Sequence, residues 1–210
     1  VSGSYDKTVK LWDVSIGSCA RTFIGHSDRV ESVTYALRAG YANSPNGQIV
    51  VSGSFDRTIR FWDCQTGKCF KTHTGYNTGV SAVSFSPCGK LLASGNIDNT
   101  IRLWDVNTGS CVRTFAGHTK SVIGVAFSPD GKTIASGGAD KRVKLWNVNT
   151  GKCIKTFTGH TDWVSGVAFS PDGKTLASSG FDQSIRFWDC QTGQCFRTCT
   201  EPSNSIFFLS

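Results

Sequence analysis

The chain of 210 residues is predicted to be all-β, built from one unit of about 42 residues that folds each time as a four-stranded antiparallel sheet. Three observations predict this. Trp12, Trp62, Trp104, Trp146 and Trp188 recur at steps of 50, 42, 42 and 42, each followed by Asp or Asn. Turn sequences recur in register with them. Between the turns lie only short runs rich in β-branched and aromatic residues, with no sustained helical period. Self-similarity at a fixed period is the signature of duplicated structural units.

Within a unit, Ser128-Pro129-Asp130-Gly131 and Ser170-Pro171-Asp172-Gly173 are turn quartets, echoed by Ser44-Pro45-Asn46-Gly47 and Ser86-Pro87-Cys88-Gly89. Pro presets φ and Gly accepts a positive φ. A second turn falls at Asn107-Thr108-Gly109 and Asn149-Thr150-Gly151. The runs between them, for example 122–127, 133–136, 142–146 and 153–157, have strand length and composition. Residues 124–133 and 166–175 are identical, as duplication requires.

Complete units are expected over 25–74, 75–116, 117–158 and 159–200, with a partial unit at 1–24 and the start of another at 201–210. The first step is longer because residues 36–43 are inserted into the first hairpin of its unit. Such an insertion marks either a loop near a binding surface or a tolerated, functionless one. Val1 corresponds to Val51, Ala93, Ala135 and Ala177, inside a second strand. Four short strands cannot bury both faces of a sheet alone, and radial stacking solves this, so the expected architecture is a β-propeller of four complete blades plus a split or partial fifth. Glu201-Pro202 stands where a Gly-His would begin the next unit, and the sequence holds no Met. Both favour a window of a larger propeller, cut from a longer chain, over a closed five-bladed ring.

Gly25-His26, Gly117-His118 and Gly159-His160 (with Gly75-Tyr76 as a variant), the Ser-Pro-Asp-Gly turn, an Asp before the third strand and the Trp-Asp pair together resemble the WD40-repeat β-propeller family along the whole chain. The resemblance implies a structural hydrogen-bond set in each blade. Here the sets read His26, Ser52, Asp56, Trp62; Tyr76, Ser94, Asp98, Trp104; His118, Ser136, Asp140, Trp146; and His160, Ser178, Asp182, Trp188. A buried indole N–H needs an acceptor, and a fully satisfied network fixes one packing. Ser, His and Asp together also suggest a hydrolase, but a catalytic triad occurs once per site, whereas this set recurs and ends in Trp. No enzyme activity, cofactor or metal site is therefore expected.

The resemblance also implies a binding face built from the loops that carry Tyr5, Phe55, Ile97, Ala139 and Phe181 just before the turn Asp, and Arg29, Gly79, Ser121 and Trp163 three residues past the His position. Tyr5, Arg29, Phe55, Ile97, Trp163 and Phe181 are the candidate contacts. Trp163 stands out because its counterparts are not large aromatics; Phe55 and Phe181 serve equally well as caps on the core between blades. The expected function is a non-catalytic scaffold binding other proteins or peptides. The alternative is a sensor or regulatory module of a larger signalling NTPase or kinase, because the near-identical units resemble bacterial WD40 arrays fused to such enzymes. No phosphate-loop motif occurs in the chain.

Composition agrees with this reading. The net charge of +7 invites nucleic acid, but Lys10, Arg60, Arg102, Lys144 and Arg186 share one repeat position, and Arg21, Lys71, Arg113, Lys155 and Arg197 another. Charge spread around a ring is no concentrated patch, and outer-strand cations guard against edge pairing. Self-association through open strand edges stays open. Cys19, Cys69, Cys111, Cys153 and Cys195 repeat seven residues after each Trp and are expected to be small buried apolar residues. Cys64, Cys88, Cys190 and Cys199 show no ligand spacing, so nine unpaired thiols point to a reducing, cytoplasmic setting. No apolar stretch is long enough to span a membrane as a helix.

Overall fold

The computed structural model describes residues 1–37, 48–74 and 77–200. Tyr76, Glu201, Pro202 and most of the insertion lie outside them. Among the described residues there are nineteen strands and no helix. In chain order they are β1 (Ser2–Gly3), β2 (Thr8–Asp13), β3 (Ser18–Ile24), β4 (Val30–Leu37), β5 (Gln48–Ser54), β6 (Ile59–Asp63), β7 (Cys69–His73), β8 (Val80–Phe85), β9 (Leu91–Asn96), β10 (Ile101–Asp105), β11 (Cys111–Phe115), β12 (Val122–Phe127), β13 (Thr133–Gly138), β14 (Arg142–Asn147), β15 (Cys153–Thr158), β16 (Val164–Phe169), β17 (Thr175–Gly180), β18 (Ser184–Asp189) and β19 (Cys195–Thr200).

They form one three-stranded sheet, β1-β2-β3, and four four-stranded sheets: β4 to β7, β8 to β11, β12 to β15 and β16 to β19, with neighbours in sequence paired. Each sheet is a blade-like meander, as the turn spacing predicts. The chain divides into two compact units, Val1–Val83 and Ser84–Ser210, with the boundary inside β8.

The Ser-Pro-Asp-Gly turns form as their residues dictate. Gly131 takes φ 70°, its N–H donates to the Ser128 carbonyl at 2.9 Å, and the Asp130 carboxylate accepts from the Ser128 hydroxyl. In the first complete hairpin, Ala36 and Leu37, expected as inserted loop, instead extend β4 and pair with Ile49 and Gln48. The rest of the insertion, from residue 38, lies outside the described residues.

Each unit has its own core between sheets. In the first, Val9 and Phe23 of one sheet meet Val30, Val50, Trp62 and Cys64 of the next. In the second, Ile101, Leu103 and Phe115 meet Ile134 and Trp146, and Val143, Leu145 and Phe157 meet Leu176 and Trp188. The recurrent contact is an outer-strand Phe against the following Trp: Phe23–Trp62 at 5.7 Å, Phe115–Trp146 at 6.0 Å and Phe157–Trp188 at 5.3 Å between centroids. Burying one such ring contributes roughly 1.5–3 kcal/mol. The sheets approach closely at Gly137, where an added Cβ would lie 2.6 Å from the Val164 side chain.

The recurrent cysteines correct the sequence expectation. Cys19, Cys111, Cys153 and Cys195 are exposed and Cys69 half-exposed. They lie on the outermost strand of each sheet, where a β-bulge opposite the Trp breaks the register, as between Leu103 and Trp104. Among the described residues no further strand pairs beyond it, and a small residue there keeps its exposure. Each thiol instead donates within its own strand, for example Cys111 Sγ to the Arg113 carbonyl at 3.5 Å. The buried thiol is Cys64, with Cys190 half-buried at the equivalent place; burial pushes both up to about 11.

Candidate functional site

Three sets of the repeated polar residues come together inside sheets. His26 Nε2 lies 2.7 Å from Ser52 Oγ, and Trp62 Nε1 donates to the same oxygen at 2.8 Å. His26 Nδ1 lies 2.6 Å from Asp56. His118 repeats this with Ser136 at 2.7 Å, Trp146 to Ser136 at 2.8 Å and Asp140 at 2.9 Å. His160 does so with Ser178 at 2.7 Å, Trp188 to Ser178 at 2.8 Å and Asp182 at 2.9 Å.

The donors order themselves. In the His26 and His160 sets the carboxylate accepts from Nδ1–H, so Nε2 of the neutral imidazole accepts from the Ser hydroxyl, whose oxygen in turn accepts the indole N–H. Burial lowers the His26 and His160 imidazoles below the ordinary histidine range, outweighing the raising effect of Asp56 and Asp182. For Asp56 and Asp140, burial pushes the carboxyl up, but hydrogen bonds to it, from Thr58 and His26 or from His118 and the Thr119 N–H, hold it below the usual range. Each carboxylate also ties down the residue after its His: the Ser27, Thr119 and Thr161 N–H groups donate to Asp56, Asp140 and Asp182 at 3.0, 3.0 and 2.9 Å. The network therefore clamps the loop entering each sheet to the turn between its second and third strands.

The fourth set differs. Tyr76 lies outside the described residues. Trp104 Nε1 donates to Ser94 Oγ at 3.0 Å, and Asp98 pairs with Arg102 Nη2 at 2.6 Å. Ser2 accepts from Trp12 at 2.9 Å in the three-stranded sheet.

Arranged as Ser-His-Asp, these residues have the order of a hydrolytic triad, but Ser52, Ser136 and Ser178 are fully buried. A nucleophile must reach substrate from a cleft, and these hydroxyls are held under indoles. No cluster of three His, Cys, Asp or Glu suited to a metal occurs among the described residues.

The two loop positions read as a candidate face lie beside each other. The Phe55 N–H donates to the Arg29 carbonyl at 3.1 Å, Ala139 to Ser121 at 2.8 Å and Phe181 to Trp163 at 2.8 Å. In the first unit the Arg29 guanidinium lies 3.7 Å from the Phe55 ring centre and 5.3 Å from that of Tyr5, and it pairs with Glu31. An added Cβ on Gly79 would meet Phe55 at 3.1 Å, so Gly79 is the floor on which Phe55 rests. In the second unit Trp163, 47% exposed, meets the half-buried Phe181 edge-on at 5.7 Å. Ile97 is half-buried, and its carbonyl accepts from the Ser121 hydroxyl at 3.2 Å. Ala139 is buried.

His73 escaped sequence reasoning. It fills the outer-strand place held by Phe23, Phe115 and Phe157, is buried, and lies 4.8 Å from the Phe61 ring. Burial first, and Lys71 second, lower it to about 4. Laying the units in register is the signal that finds it.

Four-stranded meanders, three of them locked by an indole–hydroxyl–imidazole–carboxylate relay, define a WD-repeat propeller. The family model described as the IFT122 first beta-propeller matches residues 82–209, and that of the WD domain, G-beta repeat, matches residues 1–13 and 17–63. The chain belongs to the WD40 β-propeller family that these describe. Propellers of this family generally mediate protein–protein interaction and are typically non-catalytic scaffolds.

Proposed function

We propose that this chain is a non-catalytic platform that binds other proteins or peptides through loop residues of each unit, Tyr5, Arg29 and Phe55 in the one and, separately, Ile97, Trp163 and Phe181 in the other. The observation that carries the reading is Trp163. It is a large aromatic left about half exposed, held by the backbone hydrogen bond to Phe181 and by that ring's edge. Rigidly presented, repeat-breaking aromatics are effective anchors for a partner. The hydrogen-bond relays beneath make the face stiff, so little ordering entropy is lost on binding. Free thiols, four of them on exposed outer strands, suit a reducing compartment such as the cytoplasm.

The test replaces Trp163 and Phe181 together by Ala and compares the proteins captured by parent and variant chains of equal circular dichroism. The reading expects the captured set to shrink. Capture that is unchanged while the fold holds sinks the assignment of this face.

A further inference from the structure

Where sheets β12–β15 and β16–β19 meet, inside the unit Ser84–Ser210, a groove of about 530 Å³ opens at the surface. Its apolar lining is Leu145, Ile154, Phe169 and Cys190, edged by Pro129 and Pro171 of the two Ser-Pro-Asp-Gly turns. Those turns join first strands to second strands, so the groove lies at the opposite end of the sheets from Ala139 and Phe181.

The preceding pair of sheets in the same unit shows why space is left here. There Leu91 and Val148 pack with Leu103 and Phe127 in one core, and Phe127 and Val148 are only 8% and 6% exposed. One period later the same places hold Thr133, Cys190, Leu145 and Phe169. Two smaller side chains leave Phe169 and Cys190 half-buried, beside an exposed Ile154. Atoms lining such a gap lack contacts that an apolar occupant would supply.

The polar lining sets the charge of the occupant. Asp130 and Asp172 both line the groove and are exposed. Their turns abut, since an added Cβ on Gly173 would lie 3.6 Å from the Pro129 ring. One oxygen of each carboxylate accepts from its turn's Ser hydroxyl and from the N–H of Lys132 or Lys174. The second oxygen has no hydrogen-bond partner among the described residues. The Ser hydroxyl first, and the backbone N–H next, hold both carboxyls below the usual range, so both are charged at neutral pH. Of the nearby cations, Lys155 Nζ donates to the Gln191 carbonyl at 2.5 Å, and Lys132 and Lys174 act on the carboxylates through space. Two open carboxylate oxygens beside an apolar lining favour a cation and disfavour a phosphate.

We propose that this groove docks an extended segment of another protein, an aliphatic side chain filling the gap beside Phe169 and Cys190 and a Lys or Arg two residues away shared by Asp130 and Asp172. In an extended chain residues two apart point to the same face. The complementarity is local. A net charge of +7 repels a basic segment from the chain as a whole, but beyond about 8 Å that repulsion is largely screened at physiological salt.

Titration of the isotope-labelled 210-residue chain with acetyl-Arg-Ser-Leu-Ser-Arg-amide, followed by amide chemical shifts, tests this. The peptide places Arg two positions from Leu in both directions. The expected result is saturable shifts confined to residues 128–133, 169–174 and Cys190. With Glu in place of both Arg the peptide is expected not to saturate, and with Gly in place of Leu to bind about tenfold more weakly. Asp130→Asn with Asp172→Asn leaves each turn its accepting oxygen and is expected to weaken binding about fivefold, the scale of an exposed ion pair. Thr133→Leu with Cys190→Val, which restores the residues of the filled neighbouring junction, is expected to abolish it. No saturable shift in the parent chain, shifts centred on Trp163 and Phe181, or equal binding of the Glu peptide overturns the proposal. Should the Asn variant fail to fold, retention or loss of binding in the Leu–Val variant decides.

Discussion

Sheets β12–β15 and β8–β11 hold the same indole in the same way and close the other end of the relay differently. In both, Trp donates to a buried Ser, Trp146 to Ser136 at 2.8 Å and Trp104 to Ser94 at 3.0 Å. In β12–β15 the turn Asp140 lies under His118, with side chains 4% and 0% exposed. In β8–β11 the equivalent Asp98 turns to Arg102, with side chains 24% and 18% exposed. Burial raises the Asp98 carboxyl, but the Thr100 hydroxyl and Arg102 outweigh it. One residue type at one repeat position therefore does two jobs: orienting a sealed imidazole, and forming an ion pair that water reaches. Position in the repeat does not set the energetic weight; burial does.

The largest expected effect tests this directly. Asp140→Ala strands a buried imidazole donor and should cost about 3 kcal/mol, whereas Asp98→Ala, losing a partly hydrated pair, should cost about 1 kcal/mol. Urea unfolding of the two variants measures both, and equal losses would dissolve the distinction. Next, Trp146→Phe removes a buried indole N–H and part of a packed ring, an expected loss of about 2 kcal/mol, against less than about 0.5 kcal/mol for Trp12→Phe, where the ring is half solvated.

The third prediction concerns acid. The folded pKa of His73 is depressed to about 4, below its unfolded value near 6.5. The unfolded chain then binds a proton in that window that the folded chain does not, so stability is full above pH 6.5 and falls as pH drops toward 4, by at most about 1.4 kcal/mol per pH unit from this group. His26 and His160, also depressed, act with the same sign. His73→Phe, restoring the residue of the other outer strands, should flatten the pH dependence of the unfolding midpoint between pH 4 and 6.5; an unchanged slope would show that His73 does not carry it. The smallest effect is at the turn between second and third strands. Lys141 sits at φ 67° and Asn99, its equivalent, at φ 70°. Asn tolerates this conformation better than Lys, so Lys141→Asn should stabilise by roughly 0.5 kcal/mol. A melting temperature that does not rise counts against strain at that turn.

Much of this was legible in the residues. The period, the turn quartets and the strand runs locate all four complete sheets, because each unit repeats its own local chemistry at a fixed spacing. The relays were legible too, since Ser52, Asp56 and Trp62 keep their offsets from one another in every unit. Other features were not. Cys19 and its equivalents look like core residues from their spacing alone, yet they lie on the outermost strands of their sheets and, Cys69 apart, are exposed. His73 passes unnoticed as a single residue, because its meaning comes from the Phe23, Phe115 and Phe157 positions it shares. Trp12 carries the same motif as Trp62, and the motif does not say whether a neighbour covers it.

By itself, then, the sequence determined the unit: its strands, its turns, and which polar groups answer one another within a sheet. Those depend on alternation, on φ preferences and on short offsets along the chain, all local. Only the tertiary structure decided which faces are covered, which thiols reach solvent, and which carboxylates are sealed. Burial is a property of what stands opposite, and the residues opposite belong to a neighbouring sheet, about 42 positions away.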